Sequence, residues 1–414
     1  MIGHVKEFFL DKLQAHLGVA VVAMCFFVVF SSIMAISLKP KWIMADEHLY
    51  ESLVGEPFWL LVRCLSLPIA MFVVWGDYTT FGVFLKCAVM VVNHLAARLL
   101  ILSIILALAA PLLLDFGLVQ FVSVFMSPIM RPLFKLPGRS CIDCIASWLG
   151  SSSMAVVITA KMHKGKHYSD REAAVMVASF SLAGVYNIYA VTTLLMMSHA
   201  FLHILFSTYL CMFLLAIILP RIWPLRSIPD SYIDGSPREQ MPHDPLRHGT
   251  SLVRRAFIHG MDKARHMTVK SYLKESIWIL VPLIYSTIPL IITVGTTLLL
   301  AAELTPIVKV LATPITSVLQ GMGVIEAVRL GDSVVLAFVD HYIAIVTGLI
   351  LQTQKARFLC ICLTTAGLIN LTEVGLHVWH STIPLKFWQM GVIYFMRVTL
   401  SLIVLVPLAE LFFG

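Results

Sequence analysis

Apolar runs of roughly 20 residues recur along the chain, each bounded by a short polar stretch. Leu17 to Leu38, Phe58 to Trp75, Leu95 to Leu114, Glu172 to Leu195, Phe201 to Leu219, Ile277 to Ala302, Arg357 to His377 and Trp388 to Phe412 are each about long enough to cross a bilayer as a helix. Two further apolar runs, Cys141 to Lys161 and Gly323 to Leu351, carry Gly, Ser and acidic residues in mid-run. In lipid every backbone polar group must find an internal partner, so such breaks predict re-entrant hairpins that are shielded by protein or line a cavity. Leu118 to Leu136 and Thr305 to Gln320 are shorter, amphipathic and interrupted by Pro128, Pro132, Pro306 and Pro314, which predicts helices lying along the membrane surface. The pattern as a whole predicts an all-α polytopic membrane protein of about eight spanning helices and two hairpins.

The order of these elements repeats. Interfacial helix, hairpin, helix, helix describes 117 to 220 and again 304 to 414. Pro128 precedes Ser140 by twelve residues, and Pro314 precedes Glu326 by the same interval. One crossing, within 277 to 303, separates the two copies, so the second is expected upside down relative to the first, as in secondary transporters whose site lies where inverted repeats meet. Residues 1 to 116 supply the leading helices, and 221 to 276 form a basic, proline-rich loop.

Composition agrees with this pattern. Of 414 residues 59% are hydrophobic and 13% charged, with a mean hydropathy of +0.89. The net charge of +7 is read loop by loop, because Lys and Arg set membrane orientation, and it gives no ground for nucleic-acid binding. Lys161, Lys164, Lys166 and Arg171, with the Arg and Lys residues of 251 to 266, place both loops in the cytoplasm. Ser251 to His266 reads as a basic amphipathic anchor on lipid. The eight cysteines lie in or beside apolar segments and imply no disulfide framework. Met1 to Leu17 reads as the approach to a retained first helix rather than a signal peptide.

Polar groups inside the apolar runs are the candidate chemistry. The first hairpin holds Asp143, Ser147, Ser151, Ser152 and Ser153, and the helix after it holds Asn187. The second offers Asp340 and His341, followed by Asn370 and Glu373. A carboxylate within a membrane is costly to bury, so Asp143, Asp340 and Glu373 are expected to couple transport to an ion, with His341 as a proton carrier. Ser147, Ser151, Ser152, Ser153, Asn187 and Asn370 are the expected solute ligands, although helix hydroxyls commonly bond only to their own preceding turn. No nucleophile and base pair, phosphate-cradling glycine loop or complete metal signature occurs, so neither enzyme activity nor a resident cofactor is expected. Cys141 and Cys144 have metal-ligand spacing, but one such pair without a second is a weak signal.

The segments LPGRSCIDCIASWLGSSS (136 to 153), YSDREAAV (168 to 175), VVLAFVDHY (334 to 342) and RFLCICLTTAGLINLTEVG (357 to 375) resemble the YjiH family of bacterial inner-membrane proteins, from about Lys39 to the C-terminus. Those proteins carry the nucleoside-recognition, or GATE, domain shared with concentrative nucleoside transporters and the membrane part of FeoB. The resemblance implies leading helices, two inverted repeats, and hairpin tips and discontinuous helices that bring Ser151 to Ser153, Asp340, Asn187, Asn370 and Glu373 to a central site. The chain departs from the nucleoside transporters at Gly150 to Ser153, where their Gln-Thr-Glu element is absent. The expected function is therefore a bacterial inner-membrane carrier of a small polar or amphipathic solute, coupled to H+ or Na+. The alternatives are a non-transporting GATE component that docks partners through the basic loop, and a divalent-metal permease using Cys141, Cys144 and His341. Solute and membrane lipid are the expected partners, and homo-oligomers stay open.

Overall fold

A computed structural model describes residues 17–44, 50, 53–55, 57–76, 82–114, 118–149, 152–237, 252–265, 268–367, 369–379 and 381–414. These residues form helices and no strand beyond one bridge between Ser231 and Pro237. Six helical segments among them are long and apolar enough to cross a membrane: Gly18–Leu38, Pro57–Trp75, Asp170–Leu194, Ser198–Ser227, Ile284–Ala301 and Phe387–Phe413. The chain is an all-α, multi-pass membrane protein. Its outward surface fits that solvent: Phe26, Phe27 and Phe30 are 61%, 58% and 54% exposed, while Ser32 and Arg63 are fully buried.

The residues cluster into two compact units, Met1–Pro111 with Thr268–Leu311, and Leu112–Met267 with Ala312–Gly414. The first contains α1 (Leu17–Leu38) packed on α2 (Pro57–Trp75) and α3 (Gly82–Val89), which runs through a π-helical stretch into α4 (Ala97–Leu114). The second opens with α5 (Leu118–Ile129), α6 (Cys141–Leu149), α7 (Ser152–Lys164), α8 (Asp170–Phe180), α9 (Val185–Leu194), α10 (Phe201–Ile218) and α11 (Leu252–Arg265). α12 (Val269–Pro282) and α13 (Thr296–Leu304) belong to the first unit. α14 (Ile307–Gly321), α15 (Ala327–Ala337), α16 (His341–Gly348), α17 (Gln354–Ala366), α18 (Leu376–Trp379) and α19 (Phe387–Phe413) follow.

Two runs expected as continuous crossings are broken. Glu172 to Leu195 divides at Ser181–Gly184, where Ser181 turns extended at ψ 114°, and Arg357 to His377 divides at Gly367–Asn370 before a π-helical turn, Leu371–Gly375. Small and polar residues at each break permit the backbone to leave the helix, and neighbouring groups then satisfy it. Each amphipathic helix ends on a left-handed residue, Lys135 (φ 58°) after α5 and Gly323 (φ 76°) after α14, which turns the chain into the next helix pair. At Gly331 of α15 an added Cβ would lie 2.3 Å from Thr316 Oγ1, so the glycine is what lets α14 and α15 approach.

The broken segments run in opposite directions. α8 begins beside Ser231, whose carbonyl accepts from Asp170 N at 2.8 Å, and next to His163, whose Nδ1 lies 2.9 Å from Thr382 Oγ1. α9 ends where Leu195 O accepts from Arg357 Nη1 at 3.4 Å. The second broken segment starts at that Arg357 end and finishes toward Thr382.

Candidate functional site

The breaks bring asparagines from two helices to one histidine. Asn187 lies in the first turn of α9, Asn370 directly before the π-helical turn, and His341 opens α16; all three are buried. The Asn187 amide meets His341 Nε2 at 3.3 Å, and the Asn370 amide meets Nδ1 at 3.3 Å. Tyr342 O–H donates to Asn187 Oδ1. A neutral imidazole has one donor and one acceptor nitrogen, so two carboxamides cannot both donate to it. With Asn187 Oδ1 accepting from Tyr342 O–H, Asn187 Nδ2 donates to Nε2, and a neutral ring then presents Nδ1–H to the Asn370 carboxamide.

Asp340 caps α16. Its Oδ1 accepts from Tyr342 N at 2.8 Å and Ile343 N at 3.4 Å, which satisfies orphan amides and fixes the entry of His341 into the cluster. The loop before it is tied to the second break, because Leu371 N donates to Phe338 O at 2.9 Å.

The first helix pair is held differently. Ser147 Oγ donates to Phe180 O at 2.8 Å, a carbonyl freed at the first break, and Asp143 accepts from Tyr168 O–H at 2.5 Å. Ser152 is buried at the start of α7. Gly150 and Ser151 lie outside the described residues, as do the side chains of Ser153 and Glu373. Other helix hydroxyls serve their own turn, as expected: Ser181 to Val177 O at 2.6 Å, Thr364 to Cys360 O at 2.7 Å and Thr365 to Ile361 O at 2.6 Å. The Cys144 thiol meets Met176 Sδ at 3.3 Å, and among the described residues no group of three or more His, Cys, Asp and Glu side chains could hold a metal ion.

Sequence reasoning passed over Arg397, in the middle of α19. It is fully buried, and it donates from Nη1 to Ala178 O at 2.8 Å, from Nη2 to Ser181 O at 2.8 Å, and from Nε to Ala366 O at 3.0 Å. Its signal was available: a lone cation in an apolar run, where an ionisable residue is a functional candidate by default.

Glu326 stands at the mouth of the second helix pair. Its carboxylate accepts from Gln352 N at 3.0 Å, Thr353 N at 3.0 Å and Thr353 Oγ1 at 2.9 Å. Burial acts to raise this carboxyl, and the Thr353 and Gln352 amides, the Thr353 hydroxyl and Arg329 outweigh it, so the group ionises below its ordinary range. With the folded value depressed, its stabilisation is present above the unfolded carboxylate value of about 4.3 and is lost as pH falls through the folded one. Glu326→Gln should therefore lower the melting temperature of the purified protein at neutral pH and flatten its decline between about pH 5 and pH 3. Superimposable melting curves for the two proteins would show that these bonds contribute nothing.

An apolar groove of about 590 Å3, lined by Ile222 and the Trp388 to Leu400 face of α19, includes none of these residues. Asn187, His341, Tyr342 and Asn370 are by contrast buried, with Asn187 bonded to His341 and Tyr342 and Asn370 bonded to His341.

Residues 96–220 match the Gate family model, described as nucleoside recognition. Over 409 residues, 96% of this chain and 86% of the relative, the chain is 29% identical to an uncharacterized protein of Alkalihalophilus pseudofirmus. No solved structure matches. The family match takes in the first helix pair and the first break, and it supports a membrane transport protein in general terms.

Proposed function

We propose that the chain is a secondary transporter of the bacterial cytoplasmic membrane, moving a small polar or amphipathic solute by alternating access with H+ or Na+ coupling. One observation carries this reading: carboxamides from two broken helices of opposite direction converge on a buried histidine at the tip of a helix pair. Half-helix ends supply free backbone dipoles at such a place, and the matched polar side chains can exchange their mutual bonds for bonds to a solute. Asn187 and Asn370 are the principal solute ligands, with Ser147 and Ser151 to Ser153 completing the site from the other helix pair. His341 carries the coupling proton, or Glu373 the coupling ion. Asp143 and Asp340, already committed to Tyr168 and to the α16 amides, act on the ion through those partners. The opposed running of the two broken segments, both within one compact unit, supports an inverted-repeat scaffold with re-entrant hairpins.

The alternatives draw less support. Segment 228–237 of the basic loop is bound to the chain itself, through Arg171 Nε to Ile228 O at 2.8 Å, and α11 packs on α5 through Phe257 and Phe121, rather than standing free for a partner. A metal permease would rely on Cys144, whose thiol is turned to Met176.

The test is uptake into proteoliposomes of nucleosides, amino acids and organic anions under an imposed proton or sodium gradient. One class should accumulate and leak back when the gradient is collapsed. Asn370→Ala should raise its half-saturating concentration about tenfold, the worth of one buried hydrogen bond, at unchanged protein content. Uptake no greater than in protein-free vesicles across the panel would overturn the proposal.

A further inference from the structure

Arg397 has hydrogen bonds to backbone at both helix breaks, and the acceptors are of one kind. Ala178 O and Ser181 O lie at the C-terminal end of α8, and Ala366 O is the last carbonyl of α17, where Nη2 also reaches it at 2.5 Å. Met212 Sδ on α10 completes the shell at 2.9 Å from Nη2. A helix C-terminus carries about half a negative charge from its unsatisfied carbonyls, so two of them offer roughly the countercharge one guanidinium needs. The planar fork, with donors pointing in fixed directions, can reach two helix ends at once; a lysine ammonium is a point with no such reach.

We propose that Arg397 is a positioning residue that yokes the two helix breaks into one unit, so that Asn187 and Asn370 are held at a fixed separation across His341. The inference rests on the transporter reading for its functional meaning, but the yoke itself is tested without a solute. Were each break satisfied separately, each would loosen separately. With one cation bonded to both, removal of the fork releases both together.

Hydrogen exchange of the full-length protein in detergent tests this, comparing wild type with Arg397→Lys and Arg397→Gln. In both variants amides around Ser181 to Asn187 and around Gly367 to Gly375 should exchange faster by about tenfold or more, in step, while the capping-box amides near Ser169 and Glu172 keep wild-type protection. Arg397→Lys keeps the charge, so it remains informative should Arg397→Gln fail to fold. Loosening of one break alone, uniform loosening of the whole unit, or unchanged exchange in Arg397→Lys would each overturn the yoke. Coupled loosening with no solute found in the uptake panel would leave the yoke standing and remove the transporter reading; solute uptake with breaks that stay protected would do the reverse.

Discussion

His341→Ala is expected to reduce solute uptake by about a hundredfold or more while the protein reaches the membrane in normal amount. The imidazole is bonded to both Asn187 and Asn370, and its removal leaves two buried carboxamides without that partner. Each such loss costs about 1 to 3 kcal/mol, and two at the lower to middle range correspond to roughly that factor. His341→Gln should recover part of the activity, because its carboxamide still offers one donor and one acceptor to the unlike asparagines. The measurement is initial uptake rate normalised to protein per vesicle, using the solute found in the panel. Wild-type rates in His341→Ala would remove the cluster from the transport path.

The second large effect lies in the other unit and concerns stability alone. Arg63 is fully buried in α2, where Nε donates to Tyr285 O at 2.8 Å and Nη1 to Leu53 O at 2.6 Å and Ser32 Oγ at 3.1 Å. Tyr285 sits in a π-helical turn, Leu283–Thr287, where the regular ladder is interrupted and carbonyls need an outside donor. Its hydroxyl is in turn bonded to Ser31 Oγ at 2.8 Å. Arg63→Met keeps the stem but strands two buried carbonyls, with an expected loss of about 2 to 5 kcal/mol in unfolding free energy. Arg63→Lys should lose less, since an ammonium can still reach one or two of the acceptors. Denaturant unfolding of the purified protein measures both. A change in Arg63→Met below about 0.5 kcal/mol, the scale of an ordinary surface substitution, would show that the guanidinium is not what satisfies this turn.

The two arginines mark where reading the chain stops working. Their sequence signal is plain, a cation inside an apolar run, yet nothing in the sequence names their partners, because those partners are carbonyls and any residue supplies one. The site residues differ in the same respect. Asn187, Asn370 and His341 are conspicuous as polar groups at membrane depth, but Asn187 lies 154 positions from His341, and no local pattern predicts that pairing. Asp143 shows the limit from the other side. As an intramembrane carboxylate it reads as an ion site, and the fold gives it Tyr168, 25 residues on, as a hydrogen-bond donor. Asp340 reads likewise and serves as the cap of α16, a role its position just before a helix allows.

The sequence by itself determined the class of protein, an all-α polytopic membrane protein, because lipid admits long apolar helices whose backbone groups bond within the segment. Only the tertiary structure decided where two crossings break, which carbonyls those breaks release, and that His341 stands between two asparagines while Arg397 joins the ends behind them. Hydropathy records the cost of leaving water, a property of each residue alone. Hydrogen bonding across a fold depends on which backbone ends meet, and that is settled when the helices pack.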